Sequence, residues 1–541
     1  MSADSARASA VNRIENVTVV TWDDAGRPPV GLELEGGRVA RLLDEGEIAR
    51  RGAGSGAMEA GARLDGGGAF LIPAFHDAHV HLTQAGLALG RVGLWDARGR
   101  DDLLERLRAG LDAPREEIAL VGEGADESGW PEPRLPTRAD LDRISGSVPI
   151  FLRRVCGHKA VANTVALGLL DPSVGIVDRE SGVLLEDAAM SLDARVLAPR
   201  PEDRERAILR GSRLALSRGV TTVEEITSWP SVPAFVRLAE SDRLPIRVVL
   251  HVLHEDLPRA RALGLASGRP IGAGGRLVVG GVKLFADGSL GARTAALREP
   301  YADAPATRGV LLLDADALAS RIAEIERAGF RALVHAIGDA ALDAALDAFE
   351  RIAGAPGGAR GHRVEHAELV PDARTLERIA RLGIALAMQP NFVGNWQGPG
   401  GMYAARVGPR RLRAMNRFGS VARAGIPFAF SSDSMPIDPL FGIRSAVAHP
   451  ETGERLAPLD AFRRYTEWGA RLAGAAGEWG RIAPGARADL VLLSAPPEEA
   501  ARDARARVLA TIVDGEIAHD GHDGHDGRDA RGAGEAPGSP A

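Results

Sequence analysis

The sequence is poor in sulfur and has no long apolar segment, and each absence excludes a class of protein. Its 541 residues include one cysteine, Cys156, so the chain can form neither an internal disulfide nor a cysteine-rich zinc module. No apolar run reaches the roughly 18 residues that a membrane-spanning helix needs. The first residues, MSADSARASAVNR, lack the apolar segment of a signal peptide. These absences predict a soluble protein of a reducing, cytoplasmic compartment.

Lysine is almost missing as well. Of the 66 basic residues 64 are arginine, and the two lysines are Lys159 and Lys283. Because arginine serves as well as lysine on most solvated surfaces, a retained lysine is a candidate for chemistry that a guanidinium cannot perform; the alternative is a residue left by codon drift. Acidic and basic residues are interspersed, with a net charge of −7. The sequence therefore predicts a small-molecule substrate, with no nucleic-acid or membrane partner, and is compatible with a homodimer.

Apolar runs alternate with helix-like stretches through the middle of the chain. This alternation predicts an α/β protein with a (β/α)8 TIM barrel over residues 71–483. A long insertion, 84–212, follows the first strand and contains two strand-like runs of its own, EIALVGEG and SVPIFLRRVCG. The eight predicted barrel strands are 69–81, 219–227, 246–253, 280–288, 331–339, 362–369, 383–390 and 427–434.

The two ends of the chain have a different pattern. Short strand-like segments joined by Gly, Pro and Asp turns occur in 13–70 and again in 484–519, which predicts one small composite β-sandwich domain built from both segments. Residues 1–12 and 520–541 are rich in Gly, Ala, Ser and Asp and are predicted to be disordered tails. The repeat HDGHDGHDG, which begins at His519, offers imidazoles to a metal, but its spacing fits no closed site.

Several predicted barrel strands end in an ionisable residue. The C-terminal ends of parallel barrel strands converge on one face, so these side chains should meet at the barrel mouth, and burying them together is costly unless a cation compensates. Taken singly, a buried histidine can satisfy backbone groups and the last aspartate can bind loop N–H groups. Together, four histidines and a carboxylate suit zinc or a similar divalent ion. The residues are His79, His81, Lys283, His335, His366 and Asp433.

The order HxH, Lys, His, His, Asp resembles the amidohydrolase superfamily. More narrowly it is similar to amidohydrolase family 3, the branch that includes YtcJ-type proteins and N-substituted formamide deformylase. The matching segments spread from about residue 71 to 515 and include IPAFHDAHVHL, DESGWPEPRLPTRADLD, GHKAVANTVAL, GVKLFADGSLGARTAAL, VHAIGD, HRVEHAEL, MQP, SSDSMPIDP and IAPGARADLVLL. Two departures stand out. Ala74 and His76 replace a glycine and an apolar residue of the family's PGFxDxHxH, so His76 is expected to point away from the metal. WQGPGG at 396–401 matches poorly and is expected to shape a separate pocket.

The resemblance implies a centre of one or two divalent metal ions per chain, with zinc the expected metal. Lys283 falls where such enzymes carry a carboxylated lysine that bridges two ions; the alternative is an unmodified lysine paired with Asp287. The resemblance assigns one metal to His79 and His81 and the second to His335 and His366, and Asp433 to one of them.

The resemblance also implies catalytic roles. Asp433 would accept the proton of the attacking water, and His158, from an insertion segment that also carries Trp130, would polarise the substrate carbonyl; a structural histidine is the alternative for His158. The implied activity is metal-dependent hydrolysis of a non-peptide C–N bond of an amide or formamide-like substrate by metal-activated water. The same site could act on an ester, a carbamate or a cyclic imide. A catalytically inactive metal-binding barrel acting as a binding protein is a more distant alternative, since such a barrel would normally lose ligands.

Overall fold

A computed structural model of the chain describes residues 11–22, 27–52, 62–113, 118–127, 130–154, 159–170, 176–185, 188, 199–354, 357–359 and 361–521. His158, Cys156 and most of both predicted tails lie outside these residues. The strands, numbered in chain order, are β1 Val11–Val19, β2 Gly31–Glu35, β3 Arg38–Leu43, β4 Ala62–Pro73, β5 Phe75–Val80, β6 Val92–Gly93, β7 Leu120–Ala125, β8 Ile150–Arg154, β9 Lys159–Ala162, β10 Ile176–Asp178, β11 Val183–Leu185, β12 Val220–Thr227, β13 Arg247–Leu253, β14 Pro270–Ile271, β15 Leu277–Phe285, β16 Ala332–Ala336, β17 Arg363–His366, β18 Ala385–Met388, β19 Phe428–Phe430, β20 Leu490–Leu493, β21 Val508–Val513 and β22 Glu516–Asp520.

Helices connect most of these strands. Two of the barrel helices begin at an aspartate whose side chain accepts a backbone N–H of the first turn, Asp314 from Ala317 and Asp372 from Thr375. The second ends at Gly383, whose φ of 73° favours glycine. No helix of the described residues is both long and apolar enough to cross a membrane. The α-helices are Glu45–Gly52, Leu82–Ala88, Arg100–Ala109, Arg138–Asp142, Thr164–Leu167, Pro201–Ser217, Val232–Glu240, Leu257–Ala262, Ala315–Arg327, Asp339–Ala353, Ala373–Leu382, Pro390–Trp396, Met402–Leu412, Phe418–Arg423, Pro439–Val447, Pro458–Arg464, Glu467–Leu472 and Pro497–Ala500.

Eight parallel strands form the barrel. They hydrogen-bond in the order β5, β12, β13, β15, β16, β17, β18, β19, and the short β14 pairs with β15 at the side. The sheet nearly closes on itself, because the Asp433 N–H after β19 donates to the His79 carbonyl of β5 at 2.9 Å. Each strand lies inside its predicted run except β15, which begins earlier, at Leu277. The predicted (β/α)8 barrel is confirmed.

The barrel strands are buried on both faces, as parallel strands covered by helices are expected to be. Every residue of β5 and of β12 is buried, although their sequences FHDAHV and VTTVEEIT include histidines, an aspartate and glutamates. Buried polar groups need partners, so these residues must bind one another, the backbone or a ligand. This requirement is what makes the barrel interior informative about function.

The N-terminal and C-terminal segments share one seven-stranded sheet. Its order is β22, β21, β20, β4, β1, β2, β3. Strand β20 runs antiparallel to β4, with Leu490 opposite Pro73 and Leu493 opposite Phe70, so the C-terminal strands extend the N-terminal sheet. Apolar residues of both segments, Ile14 and Leu490 among them, form a core separate from that of the barrel. The predicted domain built from both ends of the chain is present as a single sheet.

A buried ion pair joins this terminal sheet to the barrel. Arg247 begins β13 and Asp489 directly precedes β20. The guanidinium Nε and Nη2 each lie 3.0 Å from an oxygen of Asp489, and Nη2 lies 2.7 Å from Asp514 Oδ1. The Arg247 and Asp489 side chains are only 3% and 2% exposed. The two parts of the protein are therefore held together by charges that water does not reach.

The insertion after β5 has its own six-stranded sheet, in the order β10, β11, β9, β8, β7, β6. The two strands visible in the sequence are β7 and β8; the other four have two to four residues each. The helix Pro201–Ser217 leads directly into β12 and buries Ile208 and Leu216 in the barrel core. The predicted end of the insertion, at residue 212, thus falls inside a barrel helix.

Candidate metal centre

Candidate ligands from opposite sides of the barrel sheet meet at its C-terminal end. His79, His366 and Asp433 each place one ligand atom within 4.8 Å of the others. His81 joins them, since its Nε2 lies 3.1 Å from Asp433 Oδ1, and His79 Nε2 lies 3.6 Å from the same oxygen. The ring centroid of His366 is 4.6 Å from that of His335. The strand ends thus bring four imidazoles and one carboxylate together.

Three of the imidazoles are oriented by a hydrogen bond at Nδ1. His79 Nδ1 contacts Glu365 Oε2 at 2.5 Å, His81 Nδ1 contacts the Ile226 carbonyl at 2.9 Å, and His366 Nδ1 contacts Gln389 Oε1 at 2.9 Å. Because each partner is an acceptor, the proton of the neutral ring belongs on Nδ1. The Nε2 lone pair of each ring is then left for a metal, which is the usual arrangement of histidine ligands.

The fourth imidazole, His335, is oriented by contacts at Nε2 instead of Nδ1. Its Nε2 lies 3.0 Å from the Gly288 carbonyl and 3.4 Å from Asp287 Oδ1, which leaves Nδ1 for the site. Asp287 is itself fixed by loop backbone and accepts three N–H groups at 2.8–3.1 Å. The donors are those of Ala296, Ile337 and Gly338.

Burial sets the charge of these groups. It holds the pKa of His79, His335 and His366 well below the usual range, so the rings are neutral, the form that binds metals. For Asp433 burial raises the pKa, but the hydrogen bond with His81 and the neighbouring cationic groups outweigh it and the pKa is lowered. For His81 burial lowers the pKa, but the hydrogen bond with Asp433 outweighs it and the pKa is raised. The site therefore presents three neutral imidazoles beside the His81–Asp433 pair.

The backbone is left-handed at two of the strand ends that carry candidate ligands, those of β17 and β19. His366 has φ 72°, and Asp433 and Ser434 have φ 50° and 60°. Residues with side chains rarely occupy this left-handed region, which costs about 1–3 kcal/mol per residue, and such residues cluster at functional sites. This unfavourable conformation occurs where His366 and Asp433 turn towards the centre.

Lys283 is buried in β15 beside this centre. Burial lowers the pKa of its amine to about 8, although the carboxylates of Glu365 and Asp433 act in the opposite direction. Its Nζ lies 5.2 Å from the centroid of the Phe285 ring. Asp287, the partner of an unmodified lysine in the alternative, accepts backbone N–H groups of Ala296, Ile337 and Gly338.

The donor set fits a divalent metal. Imidazole nitrogens and a carboxylate are the ligands that zinc and similar ions prefer. His79 Nε2 is buried and has no hydrogen-bond partner among the described residues, and an unpartnered buried nitrogen is costly unless something binds it. The hydrogen bonds described above leave one nitrogen of each ring for the site, as metal binding requires.

Other residues singled out in the sequence lie elsewhere. Trp130 is buried in the core of the insertion, where its Nε1 donates to the Ala97 carbonyl at 2.8 Å. Lys159 pairs at 3.8 Å with Glu127 and is one-third exposed, as a surface lysine would be. The position of His158 lies outside the described residues. Trp396, from the poorly matching 396–401 segment, packs on Phe392 with 4.8 Å between ring centroids.

Two residues that orient the ligands had no role in the predictions made from the sequence. Gln389, in the quoted segment MQP, holds His366 and is itself fixed by a hydrogen bond to Ser431 Oγ at 2.9 Å. Glu365 holds His79. Gln389 follows β18, a barrel strand to which no site residue was assigned. The rule that identified the ligands, a polar residue at the end of an apolar run, would have found it if amides had been included.

Comparison with known proteins identifies the family of the chain. A model of the amidohydrolase family matches residues 64–519. The chain belongs to this family. It is 31% identical over 488 residues to the putative amidohydrolase YtcJ of Bacillus subtilis (strain 168), covering 84% of this chain and 89% of that protein. It is 26% identical to N-substituted formamide deformylase of Arthrobacter pascens, covering 94% and 98%.

A solved structure agrees with the family assignment. An uncharacterised metal-dependent hydrolase of Pyrococcus furiosus matches with a TM-score of 0.77 and 32% identity, over 90% of this chain and 99% of that one. The resemblance drawn from the sequence motifs is thereby confirmed at the level of the family.

Proposed function

We propose that the protein is a metal-dependent hydrolase that cleaves a non-peptide C–N bond of an amide or formamide-like substrate. The observation that carries this proposal is the cluster of His79, His366 and Asp433, with ligand atoms within 4.8 Å of one another, in a chain of the amidohydrolase family. Two similar proteins support it by name: one is a metal-dependent hydrolase and another is an N-substituted formamide deformylase.

Six residues would hold the metal, and zinc is the ion we expect. An amine such as that of Lys283 can attack CO2, forming an N–C bond and releasing a proton from Nζ, and the resulting carbamate offers two oxygens that could span two ions. A guanidinium is a poor substitute, which agrees with the survival of lysine here. The proposed ligands are His79, His81, Lys283, His335, His366 and Asp433.

A bound divalent ion would lower the pKa of water to about 7 and so would make hydroxide available at neutral pH. Asp433, which lies 3.1 Å from His81 Nε2, would accept the proton of the attacking water and pass it to the leaving nitrogen. His158 would polarise the carbonyl oxygen. The products are an amine and a carboxylic acid.

A hydrolase screen of the zinc-loaded protein tests the proposal. Turnover of N-formyl amines or N-acyl amino acids, lost in Asp433→Asn, is the expected result. Turnover of aryl esters or cyclic imides alone would transfer the same site to the alternative substrates. A protein that takes up neither zinc nor manganese, as measured by elemental analysis, is not a metal-dependent hydrolase. A protein that binds the metal but hydrolyses none of these substrates would favour the inactive metal-binding barrel.

A further inference from the structure

A chain of polar contacts, buried except at its half-buried first member Trp479, runs through the barrel interior and ends on His79. It begins where Trp479 Nε1 donates to His76 Nδ1 at 3.2 Å, and His76 Nε2 then contacts Glu224 Oε1 at 3.2 Å. We call this set the interior network. Its members are Trp479, His76, Glu224, His251, Arg363 and Glu365.

Arg363 connects the two carboxylates of the network. Its Nη1 lies 2.8 Å from Glu224 Oε2 and its Nε lies 2.5 Å from Glu365 Oε1. Glu224 belongs to β12 and Arg363 to β17, and three strands separate them in the sheet. A direct contact between them must therefore cross the inside of the barrel. The remaining Nη2 donates to the Ala78 carbonyl of β5 at 3.0 Å, so the guanidinium also ties down the strand that carries His79.

Glu365 is the link to the metal centre, because its two oxygens face two donors. Oε1 accepts from Arg363, and Oε2 accepts from His79 Nδ1 at 2.5 Å. The side chain is fully buried, so water cannot replace either donor. With Nδ1 occupied, the only nitrogen that His79 can offer the site is Nε2, the buried atom that lacks a partner among the described residues.

The opposite end of the network is confined as well. His76 is 1% exposed, and a methyl group added at Gly469 would lie 2.6 Å from its Cγ, so the ring has no room to turn away. His76 and His79 are three positions apart along β5, which is about 10 Å of strand. His76, which replaces the family's apolar residue, thus extends the network from beneath the metal centre to Trp479.

We propose that the interior network is a positioning device for the metal ligand His79, and that Glu365, Arg363, Glu224, His76 and Trp479 together set the affinity of the site for its metal. This inference rests on the proposed function only in requiring that the site bind a divalent metal. The Glu365 carboxylate that accepts the His79 Nδ1 proton also makes the ring a better electron donor, which favours a metal cation at Nε2.

Two substitutions test the network at its two ends. Glu365→Gln keeps the shape but leaves one acceptor oxygen for two donors, so either His79 or Arg363 loses its partner. Trp479→Phe keeps an aromatic ring and removes the N–H that binds His76. The matched control is Trp468→Phe, because Trp468 is also half-buried in the segment that follows the barrel but stacks on Arg464 and Arg471 instead.

The measurement is the zinc dissociation constant, from competition with a chromogenic chelator, on full-length proteins whose near-UV circular dichroism matches the wild type. We expect Glu365→Gln to weaken zinc binding about 10- to 100-fold, as other partners of histidine ligands do. We expect Trp479→Phe to weaken it less, about two- to tenfold, as the loss of one neutral hydrogen bond would. Trp468→Phe should stay within twofold of the wild type, about the scatter of such a measurement.

Unchanged zinc affinity in Glu365→Gln overturns the inference, and so does an equal effect of Trp479→Phe and Trp468→Phe. If Glu365→Gln does not fold, the comparison of the two tryptophan variants decides. Failure of the wild-type protein to bind zinc or manganese would refute the proposed function and the inference together. Normal wild-type binding with unaffected variants would refute the inference alone.

Discussion

Replacing Arg247 by methionine should destabilise the protein strongly, because the change leaves a buried charge without its partner. Methionine has a similar length and no charge. In the wild type the guanidinium binds Asp489 through two contacts of 3.0 Å and Asp514 through one of 2.7 Å. After the substitution the Asp489 carboxylate would keep the Asp514 N–H as a donor, at 2.9 Å, inside an interface that excludes water.

The expected magnitude follows from this burial. Removing one partner of a buried ion pair costs about 3–5 kcal/mol of unfolding free energy, whereas exposed pairs contribute about 0–1 kcal/mol. Burial already raises the pKa of Asp489 despite Arg247, and losing the guanidinium would raise that pKa further. A carboxyl group with a raised pKa in the folded state stabilises the fold only while protonated. The destabilisation should therefore be largest near neutral pH and should shrink on acidification.

Urea denaturation followed by tryptophan fluorescence measures the effect, and Trp479, 5.6 Å from the Arg247 guanidinium carbon, reports on the same interface. The control is Arg243→Met, four positions earlier. Arg243 is 56% exposed, and its partner Glu205 also binds Arg237, so that variant should lose no more than about 1 kcal/mol. Equal losses in the two variants, or a loss in Arg247→Met that grows on acidification, would refute the reasoning.

Three further outcomes are expected. Asp433→Asn should lower kcat at least about 100-fold, because it removes the proposed base but keeps its shape, and near-wild-type kcat at full metal occupancy would contradict this role. Lys283→Ala should empty at least one metal site, measured by elemental analysis, and a small added carboxylate should partly restore both metal and activity. Deleting 484–519 should cause aggregation, measured by light scattering, because it uncovers the edge of β4; a truncation after Gly521 is the control, and unchanged solubility of the deletion variant would count against the shared sheet.

The barrel could be predicted because its signal is local. Each strand is an apolar run long enough to be recognised, and polar residues interrupt these runs mainly where the strand reaches the site. His79, His335, His366 and Asp433 stood out for that reason, and the convergence of parallel strand ends supplied their proximity. Distances between them could not be predicted, since they depend on strand register and on left-handed backbone at His366 and Asp433.

Features set by contacts between distant residues escaped prediction. The two-residue β6 pairs with β7, which lies almost thirty positions further on, and so short a strand has no pattern of its own. His76 contacts Glu224 and Trp479, 148 and 403 positions away. Its departure from the family pattern was visible, but nothing local showed which groups it would bind.

Arg363 and Lys283 are expected to have different roles inside the barrel. Exchanging arginine and lysine at each position tests both roles. Arg363 must stay charged and must reach Glu224, Glu365 and the β5 backbone at once, which requires the planar fork of a guanidinium. Lys283 must be able to lose its proton if it is to become a carbamate, which a guanidinium does poorly. Arg363→Lys should therefore weaken metal binding by loosening His79, while Lys283→Arg should prevent the bridge, although neither exchange changes the formal charge of the chain. An active Lys283→Arg enzyme with two bound metals would show that the lysine is retained for another reason.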